Sequence, residues 1–338
     1  MIIDAHIHLV RDGYRPDSRA EYLARRAAYR RPPFSDPEKL VWEINDNLND
    51  ADGSRTIAAM DKAGVKAAVI MALDSSIAMK EEPRIPVAEM HRQYGELQKR
   101  YPGRLYAFAG PDPRRPDAIE IFERAIKEHG LKGLKIYPPS GYYPTDPILR
   151  PFYERCLEWD IPVVSHTAAG GFPNGSTHAP PRYLSDVQAE YPDLKIWLAH
   201  AGYPRWFDEA LEVASSHLNT YVELSQWNRW LANDEAGIIE KIARARDTIG
   251  AHRILFASDF NSPGSAEPAN LFGFSYTAWV DLFRNLPEKA SKYGYRFARE
   301  EVDLMVRGNV ARLLKLEKVP DLEVPEYAPL HKWRVRDA

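Results

Sequence analysis

His6 and His8 stand two residues apart in Asp4-Ala-His-Ile-His8, at the end of the short apolar run that opens the chain. Side chains alternate along a strand, so positions i and i+2 project from one face, and two imidazoles placed there can share one metal ion. Three further polar residues end apolar runs in the same manner. His166 follows Ile161-Pro-Val-Val-Ser, His200 follows Lys195-Ile-Trp-Leu-Ala, and Asp259 follows Ile254-Leu-Phe-Ala-Ser. Any one of these histidines alone reads as an ordinary hydrogen-bonded strand-end residue. These four histidines and Asp259 brought together are costly to bury unless paired or ligated, so the set reads as a metal centre. Imidazoles with a carboxylate suit zinc, while manganese, iron or cobalt accept the same donors.

Such a centre needs a scaffold that makes strand ends converge. Apolar runs at 2–7, 65–73, 105–109, 133–137, 161–165, 194–199, 220–224 and 253–257 are strand-sized, and several lack polar alternation, as expected of parallel strands covered on both faces. Between them lie helical patterns at 56–63, 87–100, 117–129, 148–159, 205–216 and 235–249. Gly64 and Gly130 stand where helix C-caps are wanted, and Pro116 and Pro181 near helix starts. Eight strands with intervening helices predict a (β/α)8 barrel, whose active site gathers at the strand C-terminal ends. An open doubly wound sheet is the competitor, but no G-x-G-x-x-G follows the first strand, and no P-loop or G-x-S-x-G elbow occurs.

The chain is expected to form one barrel domain over 1–316, with insertions after the first strand (11–48) and the eighth (260–298). An extended tail, 317–338, would pack on the barrel or a neighbour. The first insertion carries Arg11, Arg15, Arg19, Arg25, Arg26, Arg30 and Arg31 against Asp12, Asp17 and Glu21. The plain reading is a solvated helical face or subunit contact; the sharper one is a lid whose arginines meet an anionic substrate.

Composition narrows the class. The 338 residues are 44% hydrophobic and 28% charged, which excludes disorder, collagen-like repeats and coiled coil. Lys and Arg number 45 against 48 Asp and Glu, so there is no basic excess of the kind that nucleic-acid binders carry. The longest apolar runs fall far short of the ~18 residues of a membrane span. Cys156 is the only cysteine, so nothing requires an oxidising compartment, and a cytoplasmic protein is expected.

Asp4-Ala-His-Ile-His8, Gly130-Leu-Lys-Gly-Leu-Lys-Ile136, Tyr191-Pro-Asp-Leu-Lys-Ile-Trp-Leu-Ala-His-Ala-Gly202, Phe256-Ala-Ser-Asp259 and Gly308-Asn-Val-Ala-Arg-Leu-Leu314 span nearly the whole chain. Together they resemble the amidohydrolase superfamily, in the branch that includes 2-amino-3-carboxymuconate-6-semialdehyde decarboxylase and γ-resorcylate decarboxylase. The resemblance implies a (β/α)8 barrel holding one divalent ion, often zinc, on His6, His8, His166 and Asp259. His200 would stand beside it, polarising the substrate or handling a proton. Some decarboxylases of the branch have glutamate in place of the first histidine; here His6 is retained. The stretch Phe260-Asn-Ser-Pro-Gly-Ser-Ala-Glu267 departs from the short proline-containing turn usual after the aspartate.

The first functional expectation is a metal-dependent hydrolase of a small amide, lactone or cyclic ester. Asp259 would take the proton of metal-bound water, and His200 would help stabilise the attacked carbonyl oxygen. The alternative is a metal-dependent non-oxidative decarboxylase of an aromatic or unsaturated carboxylic acid, and a non-catalytic barrel is the least expected. Lys135, His178 and Arg182 are the candidate substrate contacts. Related binuclear enzymes use a bridging carboxylated lysine from the fourth strand; Lys135 and Lys132 both lie near the end of that strand, and either could instead snorkel at the barrel rim. Asp4 shares the expected face of His6 and His8 but lies deeper, which suggests a partner to a ligand; Glu223 is expected to line the core or to support a ligand. The partner is a small, anionic substrate, and a homodimer is the expected assembly.

Overall fold

Each of the eight apolar runs contains a strand. The computed structural model describes residues 1–30, 36, 49–171, 174–261 and 275–316. The strands are β1 (Ile3–His8), β2 (Ala67–Met71), β3 (Leu105–Phe108), β4 (Leu134–Ile136), β5 (Val163–His166), β6 (Ile196–Ala199), β7 (Thr220–Glu223) and β8 (Ile254–Leu255). A short β9 (Phe260–Asn261) follows, and it pairs with β1 where β8 has ended.

All pairings are parallel, in the orders β3-β2-β1-β9 and β4-β5-β6-β7-β8. Two seams join these sets into a closed (β/α)8 barrel. At one, Ala109 bridges Leu134, and the Lys135 N–H donates to Ala109 O at 2.6 Å. At the other, the Ala5 N–H donates to Phe256 O at 2.8 Å and the Asp259 N–H to His6 O at 2.9 Å. The second seam brings the first and eighth strands together, and with them His6 and Asp259.

The helical patterns form as the apolar spacing predicts: Ser54–Ala63, Val87–Arg100, Ala118–Lys127, Arg150–Glu158, Phe207–Ser216 and Glu235–Ile249. Gly64 ends the first of them with φ 76°, a left-handed cap where any side chain would be strained. Side chains that face the helices form one apolar cluster, including Ile7, Ile70, Leu134, Ile136, Leu198 and Val222. Those facing inward form another, including Ile3, Ala5, Val69, Phe108, Val164, Trp197, Tyr221 and Leu255. The helix Asn309–Leu313 closes the bottom of the barrel with Val310 and Leu313. Asn309 fixes it there by donating to Ala251 O at 2.8 Å and Ile254 O at 2.7 Å.

β1 breaks strict alternation. Its register with β2 runs Asp4 to Ala68 and then Ile7 to Ile70, three residues against two. That extra residue is a β-bulge, which resets which face each side chain takes. Ile3 and Ala5 point inward with the barrel interior, and His6 and His8 also point inward, while Ile7 packs outward. Asp4 therefore does not share the face of His6 and His8, contrary to the sequence expectation.

The first insertion begins with a helix, α1 (Asp17–Arg30). Residues 31–35 and 37–48 of the first insertion, 262–274 of the second and the tail 317–338 lie outside the described residues. Among the described residues, no helix is long and apolar enough to cross a membrane.

Candidate metal centre and its cavity

Inward positions on the last turn of the barrel strands carry polar groups instead of apolar ones. β1 contributes His6 and His8, β4 Lys135, β5 His166, β7 Glu223, and the chain just past β8 Asp259. All but His8 are classed as buried, and His6 and Glu223 are fully so.

Hydrogen bonds determine which imidazole nitrogens are bare. His6 Nδ1 lies 2.7 Å from Glu223 Oε1, and when Glu223 is ionised it can only accept, which puts the proton on Nδ1. His8 Nδ1 donates to Met71 O at 2.9 Å. Both Nε2 atoms are left with lone pairs, 3.2 Å from each other, with Asp259 Oδ1 3.8 Å and 3.5 Å away. Two lone pairs and a carboxylate turned on one point repel unless a cation lies between them. Ligands about 2.0–2.1 Å from one tetrahedral ion stand roughly 3.4 Å apart, so the spacing fits a metal.

A second chain of bonds starts from the same carboxylate. The Ser225 N–H donates to Glu223 Oε2 at 2.8 Å, and its hydroxyl also bonds Glu223. Ser225 Oγ therefore accepts from His200 Nδ1, 2.6 Å away. His200 Nε2 then carries a lone pair that accepts from His166 Nδ1 at 2.9 Å. The result is a bare His166 Nε2, buried and without a hydrogen-bond partner. An orphaned buried ring nitrogen is what a metal ligand looks like without its ion. His6, His8 and Asp259 form one compact donor group and His6, His200 and Glu223 another; His166 belongs to neither and meets His200 instead.

Burial keeps these rings neutral. It lowers the pKa of His6, His166 and His200 well below the usual value and that of His8 to about 4, although Asp259 raises the last. Burial also raises Glu223 to about 7, partly offset by its bonds to Ser225 and by Lys135. Three residues of the site hold left-handed backbone without being glycine: His200 at φ 70°, Gln226 at 65° and Asp259 at 56°. Such conformations cost on the order of 1–2 kcal/mol each and cluster at functional sites. Gln226 uses its position to donate to Asp259 Oδ2 at 3.1 Å.

Above the imidazoles lies a cavity of about 240 Å³. Lys135 lines it, and its ammonium is buried without a hydrogen-bond partner. The other two candidate substrate contacts are elsewhere. His178 packs edge-on against Tyr143, with ring centroids 4.4 Å apart, and Arg182 is held at the surface by Glu209 at 3.1 Å. Neither lines the cavity. Asp4 holds backbone: it accepts from the N–H of His6 at 3.1 Å and of Ser258 at 3.0 Å, and from Tyr276 OH at 3.0 Å. Of the two roles expected of Glu223, lining the core or supporting a ligand, it takes the second at the His6 ring, while Asp4 meets only the backbone of His6. The strand-end rule that finds the histidines points equally to Glu223-Leu-Ser225, which ends β7. Gln226 and Arg229, which also line the cavity, lie beyond β7 at the start of and within the 3-10 helix Trp227–Trp230, and carry no such signature.

The family model described as amidohydrolase matches residues 3–316. No curated protein matches the sequence significantly. Among solved structures, 5-carboxyvanillate decarboxylase from Novosphingobium aromaticivorans, with bound manganese, is similar at TM-score 0.65 and 16% identity, over 93% of this chain and 97% of that one. An uncharacterised TIM-barrel protein from Bordetella bronchiseptica is similar at 0.63 and 19%, over 93% and 98%. A 2,6-dihydroxybenzoate decarboxylase is similar at 0.61 and 18%, over 93% and 99%.

Proposed function

Because the chain belongs to the amidohydrolase family, we propose that it is a metal-dependent hydrolase of a small, anionic amide, lactone or cyclic ester. His6, His8, His166 and Asp259 would hold one divalent ion, zinc in the first instance and manganese as the alternative. When bound, such an ion supplies a water acidified towards pH ~7 and polarises a carbonyl oxygen.

The observation that carries this reading is the position of Asp259. One carboxylate oxygen faces the bare nitrogens of His6 and His8, and the other is held by Gln226 at 3.1 Å. A base placed there takes the proton of an attacking water and returns it to the leaving group, a role worth about 10²–10⁴-fold in rate. His200 lines the cavity beside His166 and assists at the attacked carbonyl. Leu23 and Leu73 supply apolar wall, and Asn174 and Asn261 supply amides that orient a polar substrate.

The second reading is non-oxidative decarboxylation of an aromatic or unsaturated acid. It is favoured by the unpartnered Lys135 ammonium, placed to receive a carboxylate beside the imidazole cluster. The C–C bond to that carboxylate breaks, CO2 leaves, and the carbon takes a proton from Asp259 in its acid form.

The test is a screen of carboxylated lactones, cyclic amides and hydroxybenzoates on metal-loaded protein in ¹⁸O-labelled water. Label in the product supports hydrolysis; unlabelled product with stoichiometric CO2 supports decarboxylation. Unchanged turnover after removal of the metal by a chelator overturns both.

A further inference from the structure

Asp259 sits where the strand ladder has run out, yet its carboxylate is held in one direction. Resting on the reading of Asp259 as a metal ligand, we propose that Asp4, Ser258 and Tyr276 are positioning residues for it. They act on the backbone beneath Asp259, and none of the three lines the cavity.

β8 ends at Leu255 and β9 begins at Phe260. Between them the chain leaves the regular ladder, and Asp259 adopts a left-handed φ of 56°. That conformation costs a residue other than glycine about 1–2 kcal/mol, so the turn persists only with outside partners for its peptide groups.

Side chains supply those partners. The Trp279 indole N–H donates to Ala257 O at 2.8 Å, and the Asn228 amide to Ser258 O at 2.7 Å. Asn261 Nδ2 donates to Asp259 O at 2.8 Å. The Ser258 N–H donates to Asp4 Oδ1 at 3.0 Å, and its hydroxyl to Asp4 Oδ2 at 2.5 Å. That hydroxyl also accepts from the Phe260 N–H at 3.1 Å, so Ser258 holds the chain on both sides of Asp259.

Asp4 is the hub of this arrangement. Its two oxygens take the His6 N–H, the Ser258 N–H, the Ser258 hydroxyl and the Tyr276 hydroxyl. Four donors on one side chain call for a carboxylate, which only accepts; an amide would turn its NH2 against some of them. The same group thereby ties the backbone of His6 to the backbone beside Asp259. Two of the proposed ligands are fixed to one point, with Asp259 Oδ1 facing His6 Nε2 from 3.8 Å.

The helix Tyr276–Arg284 locks the hub in place. Tyr276 and Trp279 stand three residues apart, on one face, and both donate to the turn or its support. The Tyr276 ring stacks on Phe260, with centroids 4.6 Å apart and planes at 15°. Asp4, Ser258 and Tyr276 are all buried, so losing one partner leaves an unmet polar atom.

The experiment is a double-mutant cycle on metal affinity, read by titrating the full-length protein with Co(II) and following its visible bands. Ser258→Ala should weaken cobalt about 10-fold and change the band pattern, as when a ligand loses its outer support. In an Asp259→Ala background the same substitution should change affinity by less than about twofold, because the group it positions is gone. Tyr276→Phe keeps the ring and removes one hydroxyl. It should weaken cobalt about 3-fold, again only where Asp259 is present, and it decides the matter alone if Ser258→Ala does not fold. Equal losses in the two backgrounds overturn the proposal, since they assign the hydroxyls to the fold at large. Unchanged affinity with Asp259 in place overturns it too. A wild type that binds no cobalt overturns the metal reading and this proposal with it, whereas cobalt bound with equal losses overturns this proposal alone.

Discussion

Glu223 Oε1 lies 2.7 Å from Nδ1 of His6, and the same carboxylate bonds Ser225, whose hydroxyl accepts from His200. One buried acid on β7 therefore determines which nitrogen is bare on His6 directly and on His166 through two intermediates. A residue that never faces the ion would control the ligands that do.

Glu223→Gln should weaken metal binding about 10–100-fold, the usual effect of losing a ligand's outer partner. The amide can still accept from His6, but its NH2 also donates, which reverses the direction of the Ser225–His200–His166 chain. Competition against a chromophoric chelator measures the change. An affinity equal to the wild type would mean that the carboxylate does not set the tautomers.

Asp259→Asn keeps the shape of the side chain and removes the base. On a substrate that the wild type turns over, kcat should fall about 10²–10⁴-fold. Elemental analysis of the same sample should find the metal still held by His6, His8 and His166. Loss of metal in proportion to activity would reduce Asp259 to a ligand.

Lys135 is an ammonium in a buried position, its pKa pushed down to about 8 by burial although Glu223 and Asp259 raise it. Replacing it with methionine of similar length removes a polar atom without a partner. Lys135→Met is expected to stabilise the free protein by about 1–3 kcal/mol in urea unfolding. The same variant should lose most of its benzoate affinity in calorimetry. A destabilised variant that still binds benzoate would show that the ammonium serves the fold.

Gln226 holds a left-handed φ of 65° so that its amide can reach Asp259. Gln226→Gly should gain about 1 kcal/mol of stability by relieving that backbone, and lose activity by freeing the carboxylate. Thermal melts and kcat on one preparation check both halves. A glycine variant with full kcat would make the amide dispensable.

His91 lies away from the metal centre, accepting from the Gly110 N–H at 3.1 Å. Burial lowers its pKa from 6.5 to about 3, with Asp74 opposing. Above pH 6.5 the ring is neutral in folded and unfolded chains, and its contribution is complete. As pH falls, the unfolded chain takes up a proton that the folded one refuses, so stability declines towards pH 3. Between pH 6.5 and 5 the loss from this group is about 2 kcal/mol. Urea melts of wild type and His91→Gln at both pH values test this. An identical pH slope in the two proteins would rule it out.

The scaffold and the rim were legible from residue order because both depend on local pattern. Apolar runs of strand length place eight strands, and a polar residue just past an apolar run marks a strand end; that is enough to place His6, His8, His166, His200 and Asp259 together once the barrel closes. Glu223 was visible by the same rule, but a lone acid ending an apolar run also fits a core-lining residue. Asp4 was misplaced on the face of the histidines because strict alternation hides the extra residue between Asp4 and Ile7. A bulge is a property of two paired strands, and one strand's sequence does not carry its partner's register.

Which arginines matter was likewise undecided by spacing. Arg19 and Arg25 differ little as entries in a basic run, yet one lines the cavity and the other pairs with Glu21 in solvent, because helix phase is fixed only when α1 docks. His178 and Arg182 sit near the rim in sequence, but Tyr143 and Glu209 draw them aside. The sequence by itself determined the barrel, its strand ends and the chemical types gathered there, since these follow from hydrophobic periodicity. Only the tertiary structure decided the bare nitrogens, the left-handed backbone at Gln226 and Asp259, and the charge turned into the cavity. Those depend on hydrogen bonds and packing between segments as far as 272 residues apart, as in Asp4 and Tyr276, which no local pattern encodes.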